Sequence, residues 1–291
     1  MRTWPIYLAL AGLPLLAVAG LVSGCTPLTM YNSLTPADSG GVIAASGLPY
    51  GRDPRQRLDV YIPTTRPTSA PVVVFFYGGS WNSGRRQDYA FVGKAFAARG
   101  FVVVVSDYRL VPDVRFPAFL EDSARVAVWA HANARQFGGD PSRVFLLGHS
   151  AGAYNAAMIA LDPRYLEAAG APASILRGVA ALAGPYDFLP LDVGSTIAAF
   201  GQANDLRQTQ PINFVSGPAP AMFLATGEAD TTVKPRNTRR LAEALRMAGG
   251  KVTVRTYPDA GHVGILLALS VAFRGKAPVL DDVIAFFEST Q

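Results

Sequence analysis

Short apolar runs alternate along the chain with longer stretches in which apolar residues recur at helical spacing. The short runs favour strands buried on both faces, and the periodic stretches favour helices. The predicted strands are Arg57–Tyr61, Val72–Tyr77, Phe101–Ser106, Val144–Leu147, Val179–Ala183, Ala221–Thr226 and Val252–Tyr257. The predicted helices are Phe91–Arg99, Pro117–Phe137, Ala151–Leu161, Asn237–Met247 and Val279–Ser289. This alternation predicts an α/β domain with a mostly parallel central sheet and helices on both faces.

The beginning of the chain has a different pattern. A short basic start precedes an apolar segment from Trp4 to Val22, and the segment closes with Leu21-Val-Ser-Gly-Cys25. A basic start followed by such a segment is typical of a secretion signal. Its last five residues resemble a bacterial lipobox, in which the cysteine is acylated and becomes the mature N-terminus. The alternatives are an uncleaved membrane anchor and an ordinary signal peptide.

Cysteine usage favours the lipobox. Cys25 is the only cysteine, so the chain can form no internal disulfide, and an exported protein avoids free thiols. We therefore expect a lipoprotein signal peptide over residues 1–24, a flexible tether over residues 25–41 and the folded domain over residues 42–291. Acyl chains on Cys25 would hold the exported protein on the periplasmic side of a membrane. Thr26 is not acidic, which favours the outer membrane.

Composition excludes several classes of function. The net charge is +5, charged residues make up 16% of the chain, and the arginines are dispersed apart from pairs such as Arg85-Arg86. We therefore expect no nucleic-acid partner. One cysteine and three separated histidines form no cluster of metal ligands, so neither a metal nor an organic cofactor is expected. Nothing in the composition indicates an oligomeric state.

The strand predicted at Val144–Leu147 leads directly into Gly148-His-Ser-Ala-Gly152, and a predicted helix follows at once. A G-x-S-x-G pattern between a strand and a helix is typical of a nucleophile elbow. Ser150 at its apex is expected to have a strained backbone. The flanking residues are glycines because a Cβ at either position would collide with the neighbouring strand or helix. The pattern therefore predicts Ser150 as a nucleophile.

A serine hydroxyl needs a base to take its proton, and histidine is the usual one. His149 belongs to the elbow, and we expect its side chain to point away from the hydroxyl of Ser150. His131 lies in a predicted helix upstream and is expected on that helix's surface. His262 follows the strand predicted at Val252–Tyr257, so it is the predicted base by position and by elimination.

The base in turn needs a carboxylate that fixes its tautomer. Asp230 ends Gly227-Glu-Ala-Asp230, a glycine-containing turn directly after a predicted strand, and is the preferred acid. Asp259 and Glu228 remain alternatives. The oxyanion hole requires backbone amides, and the strand predicted at Val72–Tyr77 runs into two glycines and a serine. Its predicted donors are the amides of Gly79, Ser80 and Ala151.

Several stretches in a fixed order resemble the α/β-hydrolase superfamily. They are Tyr77-Gly-Gly-Ser-Trp81, Asp107-Tyr-Arg-Leu-Val-Pro112, Phe116-Pro117, Gly148-His-Ser-Ala-Gly152, Gly227-Glu-Ala-Asp230 with Val233, and Gly261-His262. Within it they are similar to the carboxylesterase branch, with its hormone-sensitive-lipase-like and kynurenine-formamidase-like enzymes. One departure is Tyr77, where the family usually has a histidine that braces the oxyanion loop. The resemblance implies the α/β-hydrolase fold and the catalytic order Ser150, Asp230, His262.

The resemblance also implies a small lid insertion over the active site, which the broken pattern between Asp187 and Pro220 would form. Trp81, Tyr186 and Leu266 are the predicted substrate-binding residues, with plain core packing as the alternative for each. The implied function is a serine carboxylesterase that hydrolyses a small-molecule ester through an acyl-enzyme on Ser150. The alternatives are an arylformamidase-like amide hydrolase with the same triad and a non-catalytic hydrolase-fold binding lipoprotein.

Overall fold

The structure is a computed structural model that describes residues 27–217 and 219–290. The strands are β1 (Gly41–Pro49), β2 (Arg57–Pro63), β3 (Ala70–Phe76), β4 (Val102–Ser106), β5 (Gly139–His149), β6 (Leu176–Leu182), β7 (Ala221–Gly227) and β8 (Val252–Tyr257). The α-helices are α1 (Pro27–Leu34), α2 (Ala90–Ala97), α3 (Ala118–Asn133), α4 (Ala151–Leu161), α5 (Arg164–Ala168), α6 (Gly194–Phe200), α7 (Arg236–Met247), α8 (His262–Leu267) and α9 (Val279–Ser289).

The strands form one sheet in the order β1-β2-β4-β3-β5-β6-β7-β8. The two pairings that involve β2 are antiparallel, and all the other pairings are parallel. The α/β-hydrolase fold predicted from the sequence is therefore confirmed. Because parallel strands end at the same edge of the sheet, the residues that follow β3, β5, β7 and β8 meet there.

All of the strands predicted from the sequence are present, and the structure adds β1. This edge strand pairs only with β2, and its register shifts twice along the pairing. Most of its side chains are at least partly exposed, so its sequence lacks the continuous apolar run that marks the inner strands. The predicted helix Pro117–Phe137 is also shorter, because α3 gives way to a 3-10 turn at Ala134–Phe137.

The small insertion predicted between residues 187 and 220 lies between β6 and β7. It contains α6 and two 3-10 turns, Leu206–Thr209 and Pro211–Phe214. Phe200 at the end of α6 is fully buried, and its ring contacts the ring of Trp81 at 4.7 Å between centroids. The insertion is thus packed onto the loop that follows β3, beside the carboxyl edge of the sheet.

The segment expected to be a flexible tether contains α1, which packs against the domain. The Tyr31 ring lies 5.7 Å from the Phe91 ring, and the Asn32 amide donates to the carbonyl of Asp88. Farther along, Asp38 accepts a two-pronged ion pair from Arg274. Residues 27–38 were expected to belong to a flexible tether. They instead pack against the domain, because an aromatic ring and a charge pair each give this segment a partner there.

The predicted signal peptide and Cys25 lie outside the described residues. Within the part of the chain that the structure describes, no helix is both long and apolar enough to cross a membrane.

Candidate active site

The turn between β5 and α4 has the conformation predicted for a nucleophile elbow. Ser150 has φ +55° and ψ −123°, and its amide donates to the carbonyl of Leu182 on the neighbouring strand. A Cβ on Gly148 would lie 2.3 Å from the carbonyl oxygen of Gly152. A Cβ on Gly152 would lie 2.0 Å from the carbonyl oxygen of Phe76. Only glycine fits at these two positions. The two glycines therefore allow the tight turn that places Ser150 at its apex.

Three predicted residues meet at the end of the sheet in a continuous chain of hydrogen bonds. The Oγ of Ser150 lies 2.9 Å from Nε2 of His262, and Nδ1 of His262 lies 2.8 Å from Oδ2 of Asp230. The other oxygen of Asp230, Oδ1, accepts hydrogen bonds from the amides of Thr232 and Val233. The Asp230 side chain is fully buried, so its orientation is fixed from both sides.

The two alternative acids lie elsewhere. Asp259 is exposed on the surface, and the Nδ1 that it would have to reach is already bonded to Asp230. Glu228 is also exposed, and its carboxylate is paired with the guanidinium of Arg239 at 2.6 Å. The geometry therefore favours Asp230 as the partner of the imidazole.

His149 contacts His262, which the sequence did not predict. Its Nε2 lies 2.8 Å from the main-chain oxygen of His262, and the centroids of the two imidazole rings are 4.8 Å apart. Burial, and after it the neighbouring His262, lowers the pKa of His149 to about 3. Its ring is therefore neutral at physiological pH. A histidine inside the elbow pattern is the only signal the sequence carries for this contact, and it does not reveal the partner.

The loop after β3 and the start of α4 bring two of the three predicted oxyanion donors, Ser80 and Ala151, to one cavity, which Ser150 also lines. Ala151 is the first residue of α4, so its amide has no acceptor within the helix. Gly79 has φ +111°, and a Cβ there would lie 2.4 Å from the carbonyl oxygen of Ser83. The loop therefore turns sharply at Gly79, which lies beside the cavity rather than in its wall.

Tyr77, the departure from the family pattern, braces this loop. Its ring stacks between those of Tyr89 and Tyr108, with centroids 5.0 and 4.9 Å away. Its hydroxyl donates to Oδ1 of Asp107 at 2.8 Å and accepts from Arg55, which also donates to the carbonyl of Gly84 in the loop. Burial raises the pKa of Tyr77 well above its usual value, so the hydroxyl keeps the proton it donates. A tyrosine thus supports the loop where the family usually has histidine.

The cavity next to Ser150 has a volume of about 340 Å³. Trp81 lines it as predicted, and its indole N–H donates to Oδ1 of Asn155 at 3.1 Å. Residues of the insertion, among them Phe188 and Val193, form another part of the wall. Lys234 and Arg236 contribute positive charge from the segment that follows Asp230. A wider depression of about 620 Å³ near His131 contains none of the predicted site residues.

Tyr186 and Leu266 do not line this cavity, so of the three residues predicted to contact substrate only Trp81 lies in its wall. The Tyr186 ring is fully buried and turns back against Gly184, where a Cβ would lie 2.5 Å from its hydroxyl oxygen. Leu266 is 3% exposed and is buried in α8 together with Ile265. Its side chain belongs to the hydrophobic core. Asp187 pairs with Arg240 at 2.6 Å.

Within residues 27–217 and 219–290, no group of three or more histidine, cysteine, aspartate or glutamate side chains is arranged to hold a metal ion.

Known proteins share both the sequence pattern and the fold. The chain is 30% identical over 257 residues to a probable isoprenylcysteine alpha-carbonyl methylesterase, ICMEL1, from Oryza sativa subsp. japonica, covering 81% of this chain and 60% of the relative. It is 33% identical to Esterase LipC from Mycobacterium tuberculosis, covering 73% of this chain and 58% of the relative. The chain thus spans about 60% of the length of these curated relatives.

A solved structure has the same fold. It is Esterase B from Lactobacillus rhamnosis inhibited by a tributyrin phosphonate, with a TM-score of 0.79, 20% identity and 90% of each chain covered. The BD-FAE family model matches residues 58–245, which extend from β2 into α7 and include the elbow and Asp230. The chain belongs to the BD-FAE family and has the α/β-hydrolase fold of esterases.

Proposed function

We propose that the protein is a serine carboxylesterase that forms an acyl-enzyme on Ser150. The hydrogen-bond chain from Ser150 through His262 to Asp230 is the observation that carries this proposal. A hydroxyl 2.9 Å from a neutral imidazole nitrogen can pass its proton to that nitrogen as it attacks a carbonyl carbon. The carboxylate then stabilises the imidazolium that results.

The reaction has two halves. In the first, Oγ of Ser150 attacks the ester carbonyl, Nε2 of His262 takes the hydroxyl proton, and a tetrahedral oxyanion forms. The oxyanion collapses, the alcohol leaves with the proton from His262, and the acyl group remains on Ser150. In the second half, water loses a proton to His262, attacks the acyl carbon and releases the carboxylic acid. The proton returns to Ser150, so the enzyme is regenerated.

The oxyanion needs donors that are in place before the reaction begins. The amide of Ala151 is free of the helix and lies next to Ser150, and Ser80 lines the same cavity from the loop after β3. Gly79 sets the turn of that loop and directly precedes Ser80. The amides of these two residues are the proposed donors from this loop, together with that of Ala151. The bracing of the loop by Tyr77 supports this role, because a rigid loop keeps its amides aimed at the developing charge.

The relatives support an ester substrate. Two of them carry esterase names, and a structural neighbour is a phosphonate-inhibited esterase. A volume of about 340 Å³ is near the lower end of the range for ligand pockets. We therefore propose a small ester with a short acyl group, held between Trp81 and the insertion.

A panel of substrates on the purified protein tests this function. We expect p-nitrophenyl acetate and butyrate to be hydrolysed with a kcat/KM at least about tenfold above that for the decanoate, because a small cavity excludes the long chain. N-formyl aryl amines and aryl amides serve as the comparison. Faster hydrolysis of the N-formyl compounds would identify an arylformamidase-like enzyme instead. A chain that hydrolyses none of them and resists an organophosphonate would be a binding protein.

We also propose that the protein is exported and held on a membrane by acyl chains on Cys25, with the outer membrane favoured. The sequence Leu21-Val-Ser-Gly-Cys25 supports this location, and the thiol of Cys25 is the only one in the chain. Acyl chains contribute about 0.8 kcal/mol for each buried methylene, so a diacylglyceryl group suffices for stable attachment.

Replacing Cys25 by serine is expected to block lipid addition and the cleavage that depends on it. The Cys25→Ser precursor should accumulate uncleaved, while the parent and a Thr26→Ser control should incorporate labelled palmitate as chains that begin at residue 25. Mass spectrometry of the N-terminal peptide checks this. An unmodified Cys25 or an intact Met1 in the parent would contradict the lipoprotein proposal.

A further inference from the structure

His149 is held at a point where it can control the position of the base. It directly precedes Ser150 and is the last residue of β5, where it pairs with Leu182 on β6. Its side chain is 4% exposed and reaches across to the main-chain oxygen of His262 at 2.8 Å. The residue that adjoins the proposed nucleophile therefore contacts the backbone of the proposed base.

The hydrogen-bond partner of His149 determines which of its ring nitrogens carries the proton. A carbonyl oxygen can only accept a hydrogen bond, so Nε2 of His149 carries the proton that it donates, and Nδ1 carries none. The groups that face this ring are His262 from the start of α8, Asp230 from the turn after β7, and Gly78 from the loop after β3. A Cβ on Gly78 would lie 3.2 Å from Nδ1 of His149, so the ring is enclosed on that side too.

His262 has hydrogen-bond partners at both its ring and its main chain. It is the first residue of the short helix α8 and follows the loop that contains the exposed Asp259. Asp230 and Ser150 both bind the imidazole, and neither fixes the backbone that carries it. That backbone is held by hydrogen bonds from the Ala229 amide to the carbonyl of Ala260 and from the Ile265 amide to the carbonyl of Gly261. The hydrogen bond from His149 adds a direct link between the main chain of the base and the strand that ends at the nucleophile.

We propose that His149 is a positioning residue, whose ring donates a hydrogen bond that holds the main chain of His262 so that Nε2 of His262 stays within proton-transfer distance of Ser150. This inference rests on the proposed hydrolase function. The neutral state matters because His262 becomes positively charged during the reaction, and a second cation 4.8 Å away would oppose that charge. A buried imidazole supplies a donor without adding a positive charge.

Two substitutions distinguish the effect of the hydrogen-bond donor of His149 from the effect of its ring shape. In the full chain, His149→Phe keeps a flat ring and removes the donor, whereas His149→Gln keeps an N–H donor of similar reach. We expect kcat for p-nitrophenyl acetate to fall about 10- to 100-fold in the phenylalanine variant, with KM within about twofold of the parent. The glutamine variant should recover kcat to within about fivefold of the parent. A residue that only fills space would not show this rescue.

His131→Phe is the matched control. This histidine also bonds a main-chain oxygen through its ring, that of Pro141 at 2.9 Å, and Pro141 lies near the start of β5, at the opposite end of the strand from the elbow. Its replacement is expected to leave kcat unchanged. The inference is overturned if His149→Phe keeps kcat within twofold of the parent, or if the glutamine variant loses as much as the phenylalanine variant.

A measurement on the unaltered protein remains decisive even where a variant does not fold. Nitrogen-15 spectra of the three histidine rings, assigned with the His131→Phe variant, should show His149 neutral with its proton on Nε2 between pH 5 and 8. A His149 ring that titrates in this range, or that carries its proton on Nδ1, overturns the inference. If the parent protein hydrolyses esters but these tests fail, only the positioning role of His149 is rejected. If the parent protein hydrolyses no ester, the proposed function itself is rejected.

Discussion

Replacing Ser150 with alanine is expected to lower kcat for p-nitrophenyl acetate by about 10⁴- to 10⁶-fold, while the protein stays folded. The loss follows from removing the only oxygen that lies 2.9 Å from Nε2 of His262 in the described site. Without it no acyl-enzyme can form, and only the oxyanion donors and the cavity remain to accelerate the reaction. The change removes one small oxygen, so the unfolding temperature should stay close to that of the parent. Steady-state kinetics and thermal unfolding check both expectations.

An organophosphonate gives a second measurement of the same residue. It should label Ser150 in the parent, where mass spectrometry of the labelled peptide locates the adduct, and it should label nothing in Ser150→Ala. Ser174→Ala is the matched control, since Ser174 is exposed in the turn before β6, and it should match the parent in turnover and labelling. Ester hydrolysis by Ser150→Ala within tenfold of the parent would contradict the proposed nucleophile.

The elements that position the site could be predicted because their sequences carry strong local signals. The inner strands are continuous apolar runs, and the glycines around Ser150 have a steric reason that the structure reproduces at Gly148 and Gly152. The edge strand β1 was missed because most of its side chains face solvent. The helix α1 was missed because its contacts are with distant partners such as Phe91 and Ser270, and composition does not reveal these.

The residues of the site could be predicted from the sequence more readily than the contacts between them. Ser150, His262 and Asp230 follow from chemistry and chain order, and the structure brings them together. The contact of His149 with the main chain of His262 depends on how α8 is docked, which no local pattern specifies. Tyr186 is predicted as a substrate contact because it directly precedes the insertion, with core packing as the alternative. Its ring is fully buried against Gly184, a contact that no local sequence pattern specifies.

The second large effect on kcat is expected from replacing the carboxylate that partners the imidazole of His262. Asp230→Asn is expected to lower kcat by about 10⁴-fold, which corresponds to about 5.5 kcal/mol in the activation barrier. Asp259→Asn should lower it by less than about tenfold, because that carboxylate is exposed and Nδ1 of His262 is bonded to Asp230. Glu228→Gln tests the other alternative and is also expected to have a small effect, since it breaks only a surface ion pair with Arg239.

The size of the Asp230→Asn effect follows from the amides that hold this side chain. Thr232 and Val233 both donate to Oδ1, so an asparagine must place its carbonyl oxygen there and turn its NH₂ group toward Nδ1 of His262. Nδ1 must then accept, which moves the ring proton to Nε2, and Nε2 can no longer take the proton of Ser150. The variant should therefore keep its fold and KM while losing turnover, as kinetics with p-nitrophenyl acetate and thermal unfolding would show. A larger loss in Asp259→Asn than in Asp230→Asn would transfer the acid role to Asp259.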